Sequence, residues 1–226
     1  MTLRCQIDHL VVAAATLGQG IAWCRSTFGF EPTSGGEHPF MGTHNRVFRI
    51  DSPRFPRAYF EIIAIDPAAM GPAHARWFDL DDAALQAQLA HGPRLVHFVA
   101  STSDAAAASS TLGSLGIDRG PLLAAQRHTP AGLLQWQISV RPDGARLFDG
   151  ALPTLIQWGD PHACDHLPAS GVELDSLAVT HPQAKQLRAA FEAIGLDGVT
   201  VGEGPAQLDA QLSAPTGRIH LSSLVS

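Results

Sequence analysis

One short stretch of the sequence occurs three times, and this repetition constrains the fold more than any other feature. Residues 6–12 read QIDHLVV, residues 94–100 read RLVHFVA, and residues 173–179 read ELDSLAV. The first two copies carry a histidine at the same place, His9 and His97, where the third copy has a serine. A unit that cannot bury its apolar face alone packs against copies of itself. The sequence therefore predicts three related units.

Each copy opens a similar series of elements. In the first unit, a strand over 5–12 precedes an amphipathic helix over 17–28, and strands follow over 30–42, 43–50 and 57–65. This βαβββ order returns over 95–158 and, in shorter form, over 172–224. We predict an α+β fold in which paired βαβββ modules form a curved, open mixed-sheet cleft, with a third, smaller βαβββ-like unit at the C-terminus. The predicted division is a first module over 1–66, a connector over 67–92, a second module over 93–160, a linker over 161–170 and a third, degenerate module over 171–226.

Composition limits the kinds of partner and the cellular compartment that the sequence predicts. The 226 residues carry a formal charge of -6 without any run of like charges, which argues against a nucleic-acid footprint and against an anionic membrane surface. The three cysteines are odd in number and show no CxxC spacing, which indicates free thiols in a reducing compartment. The chain shows no apolar run long enough for a membrane span and no leader pattern. We expect a soluble, cytoplasmic protein that acts on a small neutral or acidic molecule.

The histidine at the centre of the repeat lies beside apolar residues. If side chains alternate strictly along the strand, residues 7, 9 and 11 share one face and residues 8, 10 and 12 the other. The same rule puts Glu61 on one face with Tyr59. A buried carboxylate needs a cation or strong hydrogen-bond donors.

If the first two units pair about a pseudo-two-fold axis, a metal ion bound between them can supply that cation. His9 and His97 then face each other across the cleft, with Glu61 and Gln157 beside them. Two imidazoles, a carboxylate and an amide oxygen form a set that suits Zn²⁺, Ni²⁺, Mn²⁺ or Fe²⁺, with coordination positions left open for substrate. Pairing within one chain and exchange between the subunits of a homodimer both place these four side chains together.

Several segments resemble a known family. They are IDHLVV at 7–12, GTHNR at 42–46, YFEIIAID at 59–66 and LPTLIQW at 152–158. These segments are similar to the vicinal oxygen chelate superfamily and, within it, to the glyoxalase-like domain proteins, over roughly residues 4–160. The resemblance implies a metal cleft between paired βαβββ units, with ligands at the centres of first and fourth strands. By position these are His9, Glu61, His97 and Gln157.

The chain departs from that family at one place. A glyoxalase I usually has a glutamate on the fourth strand of each unit, whereas this chain has Gln157 at one of the two positions. Glu61 then remains as the carboxylate for proton transfer, which argues against glyoxalase activity itself. Two histidines with one carboxylate also resemble the facial triad of the superfamily's extradiol dioxygenases, which use Fe²⁺.

Other residues are candidates for the cleft. The segment 42–46 is either a turn with a polar exit or a source of cleft groups, with His44 as a second catalytic residue and Asn45 and Arg46 as substrate contacts. The remaining substrate-binding candidates are Tyr59, Arg127 and Trp136. The simpler interpretation of these three is packing for the two rings and a solvated side chain for the arginine. If Arg127 does reach the cleft, it would clamp an acidic substrate.

Two functions from different classes fit these observations. The first is a metal-dependent enzyme of the lyase, isomerase or ring-cleaving dioxygenase type, with Glu61 as metal ligand and base. The second is a metal-free protein that binds or sequesters a small molecule. A third possibility is that residues 171–226 cover the cleft. His162, Cys164 and His166 resemble a zinc cluster only superficially, because they lie in a proline-rich linker without a fourth ligand.

Overall fold

The computed structural model describes residues 3–129 and 132–224, so the ends of the first and third predicted modules lie outside the described residues. The strands are β1 Cys5–Ala13, β2 Ser34–His38, β3 Thr43–Arg49, β4 Tyr59–Ile65, β5 Arg94–Thr102, β6 Leu122–Thr129, β7 Gly132–Ser139, β8 Thr154–Trp158, β9 Glu173–Thr180, β10 Val199–Gly202, β11 Gln207–Ala214 and β12 Gly217–Ser222. The α-helices are α1 Leu17–Phe28, α2 Ala83–Leu89, α3 Ala105–Ser114 and α4 Ala184–Ala193. Short 3-10 helices cover Trp77–Asp79, Leu147–Gly150 and Ala163–His166.

Local sequence explains where the first helix begins and ends. The Thr16 side chain accepts a hydrogen bond from the Gln19 backbone N–H at the start of α1. Gly29 ends the helix in the left-handed conformation, with φ of 85°, which glycine adopts without a steric penalty. Its buried positions, which include Cys24 and Phe28, recur at helical spacing and face the sheet. The helix therefore has the bounds that its periodicity predicts.

The strands of the described ranges form two sheets. The larger has eight strands in the order β2-β3-β4-β1-β5-β8-β7-β6, and the smaller has four in the order β10-β9-β11-β12. In the larger sheet, the first and second βαβββ units join where β1 and β5 pair antiparallel. The predicted α+β fold, with paired modules in a curved, open mixed sheet and a third smaller unit, is confirmed. The predicted unit boundaries stay a prediction.

The two faces of the eight-stranded sheet have different partners. One face packs against α1 and α3, and apolar residues of the third unit, such as Leu177, Leu187 and Leu212, belong to the same core. The opposite face lines the cleft and holds a second apolar cluster that includes Trp77 and Phe78. The third unit therefore packs with the helices instead of covering the cleft, which corrects that possibility.

Two further predictions concern membrane spans and the state of the cysteines. None of the helices in the described ranges combines the length and the apolar character that crossing a bilayer requires. Cys5, Cys24 and Cys164 are buried free thiols. Burial raises the pKa of Cys5 to about 11 and that of Cys24 to about 12, so these thiols are protonated at neutral pH.

Candidate functional site

A bulge in β1 places two consecutive polar residues in the cleft. Along the β1–β5 ladder, Ile7 lies opposite Ala100 and His9 lies opposite Val99, so Asp8 is the extra residue. Asp8 and His9 both turn toward the cleft, and Ile7 packs in the core on the helix side. The prediction that Ile7 shares the face of His9 and that Asp8 lies on the other face was therefore wrong, because strict alternation fails at a bulge.

Asp8 is the hydrogen-bond centre of this region. Its carboxylate accepts from His9 Nδ1 at 2.7 Å, from Trp158 Nε1 at 2.9 Å and from His162 Nε2 at 3.0 Å. Burial alone would raise the pKa of Asp8, but the hydrogen bonds from His162 and His9 outweigh it and hold the pKa well below the ordinary value. Asp8 is therefore an ionised group under the cavity floor, and it fixes the orientation of the His9 ring.

Glu61 on β4 lies next to His9. Its Oε2 is 3.6 Å from His9 Nε2, and its Oε1 accepts a hydrogen bond of 2.6 Å from Asn45 Nδ2. Tyr59 stacks on the His9 ring at 4.4 Å between ring centroids. With Nδ1–H donated to Asp8, the Nε2 of a neutral His9 is an acceptor. Two acceptors thus converge at a point where a proton-bearing atom of a ligand can bind.

Because the sheet curls, an arginine from the far edge of the sheet lies close to Asn45. Arg127 lies on β6, at one edge of the eight-stranded sheet, and β2 forms the other edge. Nevertheless Arg127 Nη1 is 3.5 Å from Asn45 Oδ1, and a Cβ on Gly36 of β2 would lie 2.6 Å from the same Nη1. The two edges of the sheet therefore approach each other, and the absence of a side chain at Gly36 leaves the space that the guanidinium occupies.

These groups enclose a cavity of about 40 Å³. The lining residues are His9, His38, Asn45, Val47, Tyr59, Glu61, Trp77, Phe78, Arg127, Trp136, Ile138, Ile156, Trp158 and Ala163. Burial lowers the pKa of His38 to about 3, with the positive charge of Arg127 as the next cause, so His38 is neutral. Among the described residues, no carboxylate lies within ion-pair distance of Arg127, and its buried Nε–H has no hydrogen-bond partner. Six predicted site residues meet here: His9, Asn45, Tyr59, Glu61, Arg127 and Trp136.

His97 lies in a different cavity. Trp77 and Phe78 line both cavities, and His97 lines only the second. Its Nδ1 donates to the Gly150 carbonyl at 3.0 Å, and its Nε2 accepts from the Thr154 backbone N–H at 3.1 Å. Burial, together with the charges of nearby arginines, lowers the pKa of His97 well below its ordinary value. Both ring nitrogens are committed to the protein, so His97 is a structural residue.

Gln157 faces away from the cleft. Its Oε1 accepts a 2.9 Å hydrogen bond from the Ala105 backbone N–H at the start of α3. The strand register shows which residue takes the place of Glu61. Glu61 lies opposite Val11, two residues after His9, and Thr154 lies opposite Val99, two residues after His97. Thr154 is thus the counterpart of Glu61, and the assignment of Gln157 as a cleft ligand was wrong by three residues.

The two neighbours of Asn45 also lie apart from the cavity. His44 Nδ1 is 3.8 Å from the Asp66 carboxylate, and Arg46 Nη1 donates to the Asn45 carbonyl at 3.0 Å. Neither residue lines the cavity that holds Glu61. The alternation of β3 explains the difference, because only every second side chain faces the cleft. His44 as a catalytic residue and Arg46 as a substrate contact are therefore not supported by their positions.

The donor set does not fit a divalent ion. Within residues 3–129 and 132–224, no group of three or more His, Cys, Asp or Glu side chains is arranged to hold a metal. His9 Nε2 and Glu61 Oε2 supply two donors, whereas the protein usually contributes at least three at a catalytic zinc or iron(II) site. The guanidinium of Arg127 lines the same cavity with a positive charge. The predicted set of four ligands is not formed.

Sequence reasoning missed several residues of the site. Asp8 was assigned to the wrong face, and His162 was set aside in a linker, although it is buried and bonds to Asp8. His162 also caps the 3-10 helix Ala163–His166. The adjacent Trp77 and Phe78 lie in the predicted connector, where a pair of large aromatic residues was the available signal of burial.

Comparison with known proteins places the chain in a family. The pattern described as a glyoxalase-like domain matches residues 7–195. The chain belongs to the glyoxalase-like domain family. The resemblance seen in the sequence is thereby confirmed, and its match extends into the third unit. A search of curated proteins found no match.

Several solved structures are similar to this chain at low sequence identity. A hypothetical protein from Staphylococcus aureus is 15% identical, with a TM-score of 0.59, over 89% of this chain and 87% of that one. A variant of methylmalonyl-CoA epimerase from Streptomyces coelicolor in complex with 2-nitronate-propionyl-CoA is 19% identical, with a TM-score of 0.42, over 69% and 98%. A variant of 4-hydroxymandelate synthase from Streptomyces coelicolor is 13% identical, with a TM-score of 0.47, over 98% and 63%.

Proposed function

We propose that this glyoxalase-like protein is an enzyme that transfers a proton at a carbon atom next to a carbonyl group of a small anionic substrate. The observation that supports the proposal is the convergence of His9 Nε2 and Glu61 Oε2, 3.6 Å apart, in a cavity that Arg127 also lines. An acceptor pair and a cation in one cavity are the parts that an enolate-forming reaction needs.

Glu61 is the proposed base. Asn45 holds one oxygen of its carboxylate at 2.6 Å, which leaves the other oxygen for the substrate. A base must lie within hydrogen-bond reach of the proton it removes, and a fixed carboxylate shortens the search for that geometry. Removal of a proton from carbon leaves the electron pair on the substrate as an enolate, and Glu61 carries the proton until it returns.

His9 is the proposed second acid–base group. Its Nδ1–H donates to Asp8, so its Nε2 faces Glu61 and the cavity. A buried carboxylate behind a histidine fixes the tautomer and stabilises the imidazolium that forms when the ring takes up a proton. His9 can therefore deliver a proton to the substrate or accept one from it while Glu61 acts on the carbon.

Arg127 is the proposed anion-binding group. Its buried Nε–H has no protein partner, and it lines the cavity beside the side chains of Trp136 and Trp158. In a site from which water is excluded, a guanidinium stabilises developing negative charge more strongly than it does in water. The small volume of the cavity, about 40 Å³, favours a substrate of a few heavy atoms.

The predicted metal-dependent enzyme and the predicted metal-free binding protein are supported to different degrees by the residues of the site. A metal-dependent lyase, isomerase or dioxygenase needs a ligand set that His97 and Gln157 do not complete, so we derive no step through a metal. Cytoplasmic location and a homodimer stay predictions. The second candidate, a protein that binds a small molecule without turnover, is favoured by the five large rings that line the cavity, Tyr59, Trp77, Phe78, Trp136 and Trp158.

Exchange with solvent deuterium tests the proposal. We would incubate the protein in D₂O with short 2-oxo and 3-oxo acids and follow the loss of each α-proton signal by NMR. Glu61→Gln is expected to slow exchange by about 10²–10⁴-fold, the usual contribution of a general base. The control Glu37→Gln, on β2 and outside the cavity, should match wild type.

Three outcomes separate the candidate functions. Exchange that persists in Glu61→Gln would remove Glu61 as the base. Binding of an acid, seen by calorimetry, without exchange in the wild-type protein would favour the binding protein. Exchange that appears only after addition of Zn²⁺, Ni²⁺, Mn²⁺ or Fe²⁺, and disappears with a chelator, would restore the metal-dependent enzyme.

A further inference from the structure

A second cavity on the cleft face of the sheet is rich in positive charge. It provides about 10 Å³ for the centre of a water-sized sphere and is lined by His97, Arg119, Ser139, Arg141, Arg146 and Thr154, together with Trp77 and Phe78. Among the described residues, no aspartate or glutamate lines it. His97 is neutral because its pKa is lowered by burial. The charge on the cavity wall is therefore that of the arginines.

Among the described residues Arg119 forms no ion pair, although the charge of the neighbouring Asp118 acts on it and raises its pKa against the effect of burial. It is 3% exposed, and its Nη2 donates to Thr154 Oγ1 at 2.5 Å. Its Nε and Nη1 are buried and have no hydrogen-bond partner. Burial lowers the pKa of Arg119 to about 10, so the group still carries its charge at neutral pH. A buried cation with two unused donors costs free energy unless something else supplies the acceptor.

The other two arginines of the cavity wall each form an ion pair. Arg141 forms an ion pair with Asp143 at 2.6 Å, and Arg146 forms one with Asp79 at 2.8 Å. Each of these charges is balanced by a carboxylate outside the cavity lining, so neither carboxylate neutralises Arg119. Among the residues that the structure describes, the positive charge of Arg119 in the cavity wall is therefore offset only by Asp118, with which it forms no ion pair.

We propose that this cavity binds a small monovalent anion such as chloride, attracted by the charge of Arg119 in its wall. A water in the same cavity would accept hydrogen bonds, but it carries no charge to offset that of Arg119. The small space for the centre of a water-sized sphere, about 10 Å³, favours a small anion over a large organic acid. The site is separate from the cavity of Glu61, because Glu61 does not line it. The proposal does not depend on the proposed enzyme activity.

Thermal unfolding in two salts tests the proposal. We would compare sodium chloride with sodium gluconate, whose anion is too large to enter, at equal ionic strength. An anion that binds only the folded state raises the Tm by mass action, by roughly 3–6 °C at about ten times its Kd for a chain of this size. The chloride-specific rise should be absent in Arg119→Met and unchanged in Arg94→Met, which removes a half-buried arginine of β5 outside the cavity.

Two further measurements keep the test decisive if Arg119→Met does not fold. Arg119→Lys keeps the charge but loses the planar array of donors, so its chloride-specific Tm rise should be smaller than that of wild type. Crystals grown in sodium bromide should show an anomalous difference peak beside Arg119. The proposal is overturned if wild type has the same Tm in chloride and gluconate, or if a folded Arg119 variant keeps the full chloride-specific rise.

Discussion

Replacement of Asp8 by asparagine probes the hydrogen-bond centre of the cleft. Asp8 is 1% exposed and accepts three hydrogen bonds, one at Oδ1 from His9 and two at Oδ2 from Trp158 and His162. An amide keeps only one oxygen. If its nitrogen faces His9, one donor loses its acceptor, and if it faces the other side, two donors lose theirs.

The expected cost follows from that count. A hydrogen bond to a charged group contributes about 1.5–3 kcal/mol, so the loss of one or two bonds predicts a destabilisation of about 2–5 kcal/mol in Asp8→Asn. With an m-value of about 2–3 kcal/mol/M in urea, the unfolding midpoint should fall by about 1–2 M. Urea titrations followed by tryptophan fluorescence would measure this shift.

The matched control is Asp209→Asn. Asp209 accepts from His220 Nε2 at 2.9 Å, a pair of similar length, but the His220 side chain is 53% exposed. Solvent can replace this hydrogen bond, so the control should change stability by less than about 1 kcal/mol. Equal midpoints for the two variants would refute the claim that Asp8 organises the cleft, and the account of how His9 is oriented would fail with it.

Three further predictions follow from the cleft. His38 and His97 are neutral in the folded protein, whereas in the unfolded chain they take up protons at their ordinary pKa. Below about pH 6.5 the unfolded state therefore binds more protons than the folded state. The free energy of unfolding should decrease as the pH is lowered, by up to about 1.4 kcal/mol per pH unit for each histidine. Urea titrations between pH 7 and 4 should therefore show a shallower loss for His38→Asn than for wild type; an unchanged slope would contradict the burial argument. Gly36→Ala should displace the Arg127 guanidinium, since a Cβ would lie 2.6 Å from Nη1, and so weaken substrate binding with little effect on stability; an unchanged KM would contradict it. Gln157→Ala should cost about 1 kcal/mol at the start of α3 and leave the turnover of any α-proton substrate unchanged; loss of activity without loss of stability would restore Gln157 to the cleft.

The helices and most strands were predictable because their signals are local. Helix α1 has the predicted bounds, and its cap residues are adjacent to it in the sequence. The predicted strand over 30–42 is shorter in the structure, where β2 covers Ser34–His38, and the short helix expected over 79–89 in the connector begins later, as α2, Ala83–Leu89. Glycines and prolines flank or interrupt these segments, and local patterns locate such ends less well than they locate the elements.

Positions within strands were harder to predict when they depended on register. One extra residue in β1 places Asp8 on the cleft face and Ile7 on the helix face, the reverse of what strict alternation predicts. No residue type in this stretch indicates the bulge. Gln157 looked like the partner of Glu61 because both lie in apolar strands, but the β5–β8 ladder puts Thr154 there. A register error of an odd number of residues moves a side chain to the other face of the sheet.

The sequence by itself determined three related units and the βαβββ order of their elements, because hydrophobic period and turn residues act over short distances. Only the tertiary structure decided that Arg127 crosses from the far edge to meet Asn45, and that Trp77 and Phe78 divide the cleft between His9 and His97. These contacts arise from sheet curvature and from packing between residues distant in the chain, which no local pattern encodes.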